Sequence, residues 1–430
     1  MSLIKNKLIN SKHQIIYGKY KKLKKQLIVI NAKNAQTHYA EIIKRIKQSK
    51  KTKINFAAYV MYASSYGMDS AFIMMMDNCE EWNPKIVIIP DVYRGIEHAK
   101  DTYEKTKEFF IEKYGFEYVI DGWNPNTNEF YNPINQFDVV YYANPYDVMA
   151  HEYHSIHYAS KQNVLPIHVS YGYDISMNYM LERLTTKELN LVWRCYTDTT
   201  YSLEEYKKNQ IIKAKNVKLI GYSKMDKFAD YDNKKYDNKK TTILITPHHT
   251  IESNELPLSN FLRFSDLILQ LPDLYPEIQF IFRPHPLLFT NLINFNKWTK
   301  VEINEYLKQL QSKGVVYSFE GDYLEIFSKS DAIINDCGSF SIEWLLTGKP
   351  GCFVKNPDLK EEHLTPLMRK AISEYSIANS KEDIINFINQ INKETHDKNY
   401  EMKQWVRENV AVNYPNVSKK ILEDIKQEIL

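Results

Sequence analysis

Glycine is scarce, 12 of 430 residues, which argues against a glycine-rich phosphate loop as the main device of this chain. Cysteine is rarer still. Cys79, Cys195, Cys337 and Cys352 lie far apart and form no CxxC pair. They give no zinc signature and fit a reducing compartment. No apolar run approaches the roughly 18 residues that a membrane span needs. The N-terminus has no apolar core of the kind a secretory signal carries. Excess charge is missing too: 56 Lys and Arg stand against 53 Asp and Glu, a net +3, so composition makes no case for nucleic acid. These absences predict a cytoplasmic protein without a nucleic-acid partner.

What is present is ordinary globular material, 43% hydrophobic and 25% charged, in a length that suits two domains. Aromatics reach 13%, mostly through 32 tyrosines, whose amphipathic rings suit wet clefts. Residues 1–26 carry Lys5, Lys7, Lys12, Lys19, Lys21, Lys22, Lys24 and Lys25 and no acid. The favoured reading is a basic N-terminal arm, a solvated helix followed by a mobile stretch. The alternative is a peripheral contact with anionic lipid at the inner face of the membrane.

The rest alternates apolar runs with helical stretches. Apolar runs fall at 27–30, 53–60, 85–89, 137–142, 164–169 and 217–220, with helices expected at 69–78, 101–114 and 147–161. Continuous apolar runs separated by helices predict a parallel sheet covered on both faces. The polar stretch KFADYDNKKYDNKK at 227–240 reads as a linker. A second α/β series follows, with strands expected at 242–245, 279–282, 315–317, 332–334 and 352–354. The expected division is 27–226 for one domain, 241–401 for a second, and 402–430 for helices crossing back to the first. Two doubly wound domains leave a cleft between them, and ligands bind beyond the carboxyl ends of such strands.

The strand ends of the second half collect polar groups. Thr246-Pro247-His248-His249 follows the first strand, Arg283-Pro284-His285-Pro286 the second, and Asn335 to Ser341 a later one. Arg283 offers a planar fork for phosphate oxygens. Gly338, Ser339 and Ser341 open a helix and could hold a phosphate, and Glu343 could accept from a ribose hydroxyl. Each has a plainer reading: a surface ion pair, a structural histidine, helix caps. Together, at three strand ends of one sheet, they favour a phosphate site. His151, His154 and His157 recur at three-residue steps, but HExxH is absent, so a polar helix face is expected there rather than a metal site.

The same residues carry a family resemblance. SDAIINDCGSFSIEWLLTGKP at 330–350 resembles the signature of CDP-glycerol glycerophosphotransferases. Asp336, Ser339, Glu343, Lys349 and Pro350 match, while Cys337 and Gly338 replace a Tyr and a Ser. FRPHP at 282–286, ILITPHHT at 243–250 and GYSKMD at 221–226 resemble further blocks of that family, over about 217–355. The resemblance implies a GT-B-like fold, two Rossmann-type doubly wound domains facing a central cleft, with no cofactor and no dedicated metal. It implies that Arg283 and His285 contact the donor pyrophosphate, with His248, Asp336, Gly338, Ser339, Ser341 and Glu343 around the nucleotide. The family's His-Gly pair, with His as base, is replaced here by Tyr171-Gly172 within PIHVSYGYDIS. His168, Asp174 and His248 are the candidate bases, with His168 and Asp174 preferred beside that turn and His285 placed on the leaving group.

The expected function is transfer of glycerol phosphate or ribitol phosphate from a CDP-linked donor to a glycan or polymer acceptor. A GT-B glycosyltransferase using another nucleotide-activated donor is the alternative, since fold does not fix function. A non-catalytic scaffold in polymer assembly is a third reading, favoured only by the missing His-Gly pair.

Overall fold

The computed structural model describes residues 2–232, 240–253, 256–319, 323–392 and 400–430. Helix α1, Ser2–Gln48, comes first. The first sheet then takes seven parallel strands: β1 Ile54–Val60, β2 Trp82–Ile88, β3 Val119–Asp121, β4 Val139–Tyr142, β5 Leu165–Val169, β6 Arg194–Thr197 and β7 Val217–Leu219, in the order β3-β2-β1-β4-β5-β6-β7. Helices α2, Asp69–Asp77, and α3, Ile96–Tyr114, follow β1 and β2.

The second sheet has six parallel strands: β8 Thr242–Thr246, β9 Gln279–Phe282, β10 Val316–Tyr317, β11 Ala332–Asn335, β12 Gly351–Val354 and β13 Ser376–Ala378, in the order β10-β9-β8-β11-β12-β13. Both orders reverse direction after a central strand, at β1/β4 and at β8/β11, and such switch points leave a crevice at the strands' carboxyl ends. The arrangement is GT-B-like.

Alternation explains why the strands read as continuous apolar runs. Ile243 and Ile245 of β8 enter one core and Leu244 the other, because successive side chains leave a strand on opposite faces and both faces are covered. The chain then returns to its first half. Helix α4, Tyr400–Asn409, places Met402 and Val406 in a core shared with the second sheet. Helix α5, Val417–Ile429, buries Val417, Ile421, Ile425 and Ile429 against the first sheet and α2. Asp226 fixes that return, its carboxylate accepting from Val417 N–H at 3.0 Å and Ser418 N–H at 2.6 Å. Burial raises the Asp226 pKa to about 6.

Three local expectations are corrected. Residues 2–26 form the start of helix α1, and 27–30 is not a strand. Both lie within α1, where Ile28 is buried and Leu27, Val29 and Ile30 are exposed. Residues 147–161 do not form one helix. Asp147 accepts from Ile156 N–H at 2.7 Å and His157 N–H at 3.1 Å, which starts a short helix, Ile156–Ala159, only after a 3-10 turn. His151 therefore stacks on Phe130 while His154 is buried against Tyr131 O, and the three histidines do not line one helix. The start of the expected linker is also structured, since Phe228 packs in the core beside the second sheet; residues 233–239 lie outside the described residues. Among the described residues no helix is long and apolar enough to cross a membrane.

Candidate functional site

A cleft of about 960 Å³ opens between the two sheets. One wall comes from the first half, with Ser64, Tyr66, Asp69, Glu112 and Lys113. The other carries His248, Arg283, His285, Gly338 and Ser339. The three strand ends picked out in the sequence thus converge on one cavity. Arg283 N–H pairs with Ile245 O at 2.9 Å, which extends the ladder past β9, and its Nη1 donates to Ser318 Oγ at 2.7 Å. His285 N–H donates to Pro247 O at 3.0 Å, which brings the tips of β8 and β9 together.

The rings of His248, His249 and His285 form a cluster with centroids 4.1–5.3 Å apart. One ring nitrogen of each lies within 4.8 Å of the others, a spacing that could hold a metal ion. Burial lowers the pKa of all three, to about 3 for His285, where His249 adds to the effect.

Asp336, Ser341 and Glu343 sit behind this wall. Asp336 accepts from His248 N–H at 2.6 Å and from the Asn260 amide, tying the tip of β8 to the tip of β11. Burial pushes its pKa up to about 7. The Ser341 hydroxyl lies 2.7 Å from Asn335 Oδ1 and 2.6 Å from Cys337 O, so it braces the turn. Glu343 is buried, its Oε1 3.4 Å from the Tyr222 hydroxyl, and burial raises its pKa. All three shape the turn that presents Gly338 and Ser339.

The first half places its expected residues differently. The Tyr171-Gly172 turn meets the second half, where a Cβ on Gly172 would lie 3.7 Å from Ser339 Oγ, and Tyr171 O accepts from the Tyr222 hydroxyl at 2.9 Å. His168 is a correction. It lies within β5, fully buried, with Nδ1–H donating to Tyr142 O at 2.9 Å and Nε2 sealed in without a partner. Burial lowers its pKa to about 3, and no acceptor hydroxyl can reach it. Asp174 is held in an ion pair with the buried Arg183.

Sequence reading missed three groups. Asp69 and Glu112 line the first-half wall, on helices whose apolar periodicity gave no hint of a cleft. Asp198, at the tip of β6, is buried with Oδ1 unpartnered, and burial raises its pKa to about 6. An aromatic group completes the second wall: Tyr323 and Phe340 stack with centroids 4.8 Å apart beside Phe319.

With this geometry in view, known proteins give a consistent picture. No curated protein matches the chain in sequence. A solved structure of the wall teichoic acid polymerase TagF, a variant soaked with CDPG, superposes with a TM-score of 0.58 at 12% identity, covering 95% of this chain and 97% of that one. Another TagF structure gives 0.57 at 11% identity, covering 93% and 98%. UDP-GlcNAc 2-epimerase from Neisseria meningitidis, bound to UDP-GlcNAc, gives 0.52 at 15% identity, covering 87% and 99%. At such identities these likenesses show the fold alone. The family model described as CDP-Glycerol:Poly(glycerophosphate) glycerophosphotransferase matches residues 141–427, more than half of the chain and nearly all of the second wall of the cleft. On that match the chain belongs to the CDP-glycerol:poly(glycerophosphate) glycerophosphotransferase family.

Proposed function

We propose that the chain transfers glycerol phosphate or ribitol phosphate from a CDP-activated donor to a hydroxyl of a polymer or glycan acceptor and releases CMP. The observation that carries this reading is the convergence of Arg283, His285 and the Gly338–Ser339 turn on one side of the cleft. A diphosphate donor builds charge on its leaving side as the bond breaks, and preplaced donors there lower the barrier. The flat faces of Phe319, Tyr323 and Phe340 offer a wall for the cytosine ring.

The acceptor oxygen attacks the phosphorus bearing the alditol. The bond to the CMP oxygen breaks, CMP leaves with the electron pair, and the acceptor proton passes to a base on the opposite wall. Asp69 and Glu112 are the carboxylates among the residues lining that wall, so the base is assigned to one of them. Asp69 is paired with Lys113 at 2.7 Å and accepts from the Tyr114 hydroxyl, which positions it firmly.

Exposed Lys22, Lys24 and Lys25 lie on α1 beside Leu23, Leu27 and Ile30, each more than half exposed, a pattern that supports contact with an anionic membrane at about 1 kcal/mol per Lys. The function is tested by incubating the protein with CDP-glycerol, CDP-ribitol, UDP-sugars and GDP-sugars in turn, with a hydroxyl-bearing polymer, and following nucleotide release. CMP release from a CDP-alditol alone is the expected result. Turnover of a nucleotide sugar instead would overturn the reading.

A further inference from the structure

The histidine cluster has the spacing of a metal site, yet its hydrogen bonds have the wrong polarity for one. His285 Nδ1 accepts from Leu287 N–H at 3.1 Å. His249 Nδ1 accepts from Asn291 Nδ2 at 3.1 Å. That amide orientation is fixed, because the same Nδ2 lies 2.9 Å from His249 O, which can only accept. His248 Nδ1 accepts from Thr250 N–H at 3.4 Å and lies 3.0 Å from Thr250 Oγ1. That hydroxyl oxygen already accepts from Leu258 N–H at 3.1 Å, and its own proton is available to the ring.

A neutral imidazole carries one proton. With every Nδ1 accepting, the proton of each ring sits on Nε2. Histidines that bind metals show the reverse, donating from the second nitrogen to a carboxylate, carbonyl or water so that a lone pair faces the ion. Here a metal at Nε2 would drive the proton onto Nδ1 and against an N–H group. His248 and His285 line the cleft, and one ring nitrogen of each of the three histidines lies within 4.8 Å of the others. Burial lowers the pKa of all three rings, and neighbouring imidazoles add to it at His248 and His285.

We propose that His248, His249 and His285 form an uncharged three-donor cradle for a diphosphate oxygen through their Nε2–H groups, with Asn291 as the positioning residue that holds His249 in that form. The proposal rests on the reading of the cleft as a CDP-donor site and adds to it a third ligand, His249, and a reason for its tautomer. Uncharged donors suit a site that must release its product. Arg283 supplies the fixed charge, and the imidazoles add directed hydrogen bonds that persist across neutral pH.

The test combines CDP titration by calorimetry, Co²⁺ titration by visible absorption, and ¹⁵N spectra of histidine-labelled protein. Wild type is expected to bind CDP equally at pH 6.5 and 8, with or without chelator, and to show no tetrahedral Co²⁺ bands. Replacing His249 by Phe, which donates nothing, should weaken CDP about tenfold or more, whereas His249→Gln, which keeps an N–H near the Nε2 position, should stay within about threefold. Asn291→Asp presents only acceptors, draws the proton to Nδ1, and should lose affinity about as much as His249→Phe. In the ¹⁵N spectra all three neutral rings should carry hydrogen on Nε2. Stoichiometric Co²⁺ uptake by wild type with chelator-sensitive CDP binding would overturn the proposal while leaving the nucleotide reading intact. So would Nδ1–H signals from His249 or His285, a result that needs no ligand. Failure of wild type to bind CDP at all would instead sink the nucleotide reading and the cradle with it.

Discussion

Ile175 of the first half sits against Gly338 of the second so closely that a Cβ on Gly338 would lie 2.1 Å from Ile175 Cδ1. The contact lies between the segment that replaces the family's His-Gly pair and the turn that lines the cleft. Thr365 reinforces it, its N–H donating to Ile175 O at 3.0 Å and its hydroxyl to Asp174 O at 2.7 Å. The two halves are thus joined beside the cleft, and the missing side chain at Gly338 is what lets them approach.

Gly338→Ala should therefore push the halves apart or force Ile175 into a poorer rotamer, at about 1–3 kcal/mol of stability. Adding Ile175→Ala should return most of that loss, although Ile175→Ala alone destabilises by leaving a void. A double-mutant cycle in thermal or urea denaturation measures the coupling. Additive effects would show that the contact does not join the halves.

Arg283→Ala should weaken CDP binding by about 1.5–3 kcal/mol, the range for a hydrogen bond to a charged group. The fold should survive, because the ladder bond at this position comes from the backbone N–H to Ile245 O. Calorimetry with CDP, alongside an unchanged circular dichroism spectrum, checks both halves of the statement. Unchanged affinity would remove Arg283 from the site.

Asp226→Ala should loosen α5. Its carboxylate satisfies two N–H groups at the start of that helix, and loss of such a cap costs about 1 kcal/mol, up to about 2. Hydrogen exchange should quicken first around Val417 and Ile421, while CDP affinity stays unchanged because the residue does not line the cleft. Loss of CDP binding in a folded variant would place Asp226 in the site rather than in the scaffold.

The strands legible in the sequence are those whose two faces meet apolar partners, as β8 shows with Ile243, Leu244 and Ile245. Strand β6 escaped notice because Arg194, Cys195, Tyr196 and Thr197 do not form an apolar run. Two of its polar side chains pair with a helix more than 200 residues away: Arg194 with Glu428 at 2.9 Å and the Tyr196 hydroxyl with Asp424 at 2.8 Å. No local pattern encodes that arrangement. At the site, Arg283, His285 and Gly338 were legible because strand ends face the crevice of a doubly wound sheet. His168 was misplaced for the converse reason. It lies one residue before the end of β5, and a covered sheet buries both alternating faces, so nearness to a turn did not expose it.

Asp198 predicts a pH signature. Its folded pKa is about 6 against an ordinary 3.8, raised first by burial and then by the nearby Asp174. The folded state therefore holds the proton more tightly than the unfolded state. Below the unfolded pKa both states are protonated and the residue costs nothing. Between the two values the folded state binds more protons, so stability falls as pH rises, and above about 6 the cost of the buried charge is complete. A shift of two pKa units corresponds to about 3 kcal/mol at most. Asp198→Asn removes the ionisation and nearly preserves the shape. Its stability relative to wild type should rise between pH 4 and pH 7 and then level off. Asp226 and Asp336 are shifted the same way, so wild type and variant share that background and their difference isolates one carboxylate. Urea denaturation at half-unit pH steps gives the difference curve. A flat curve would mean that Asp198 ionises as freely in the folded chain as in the unfolded one, through a proton donor or water reaching its Oδ1.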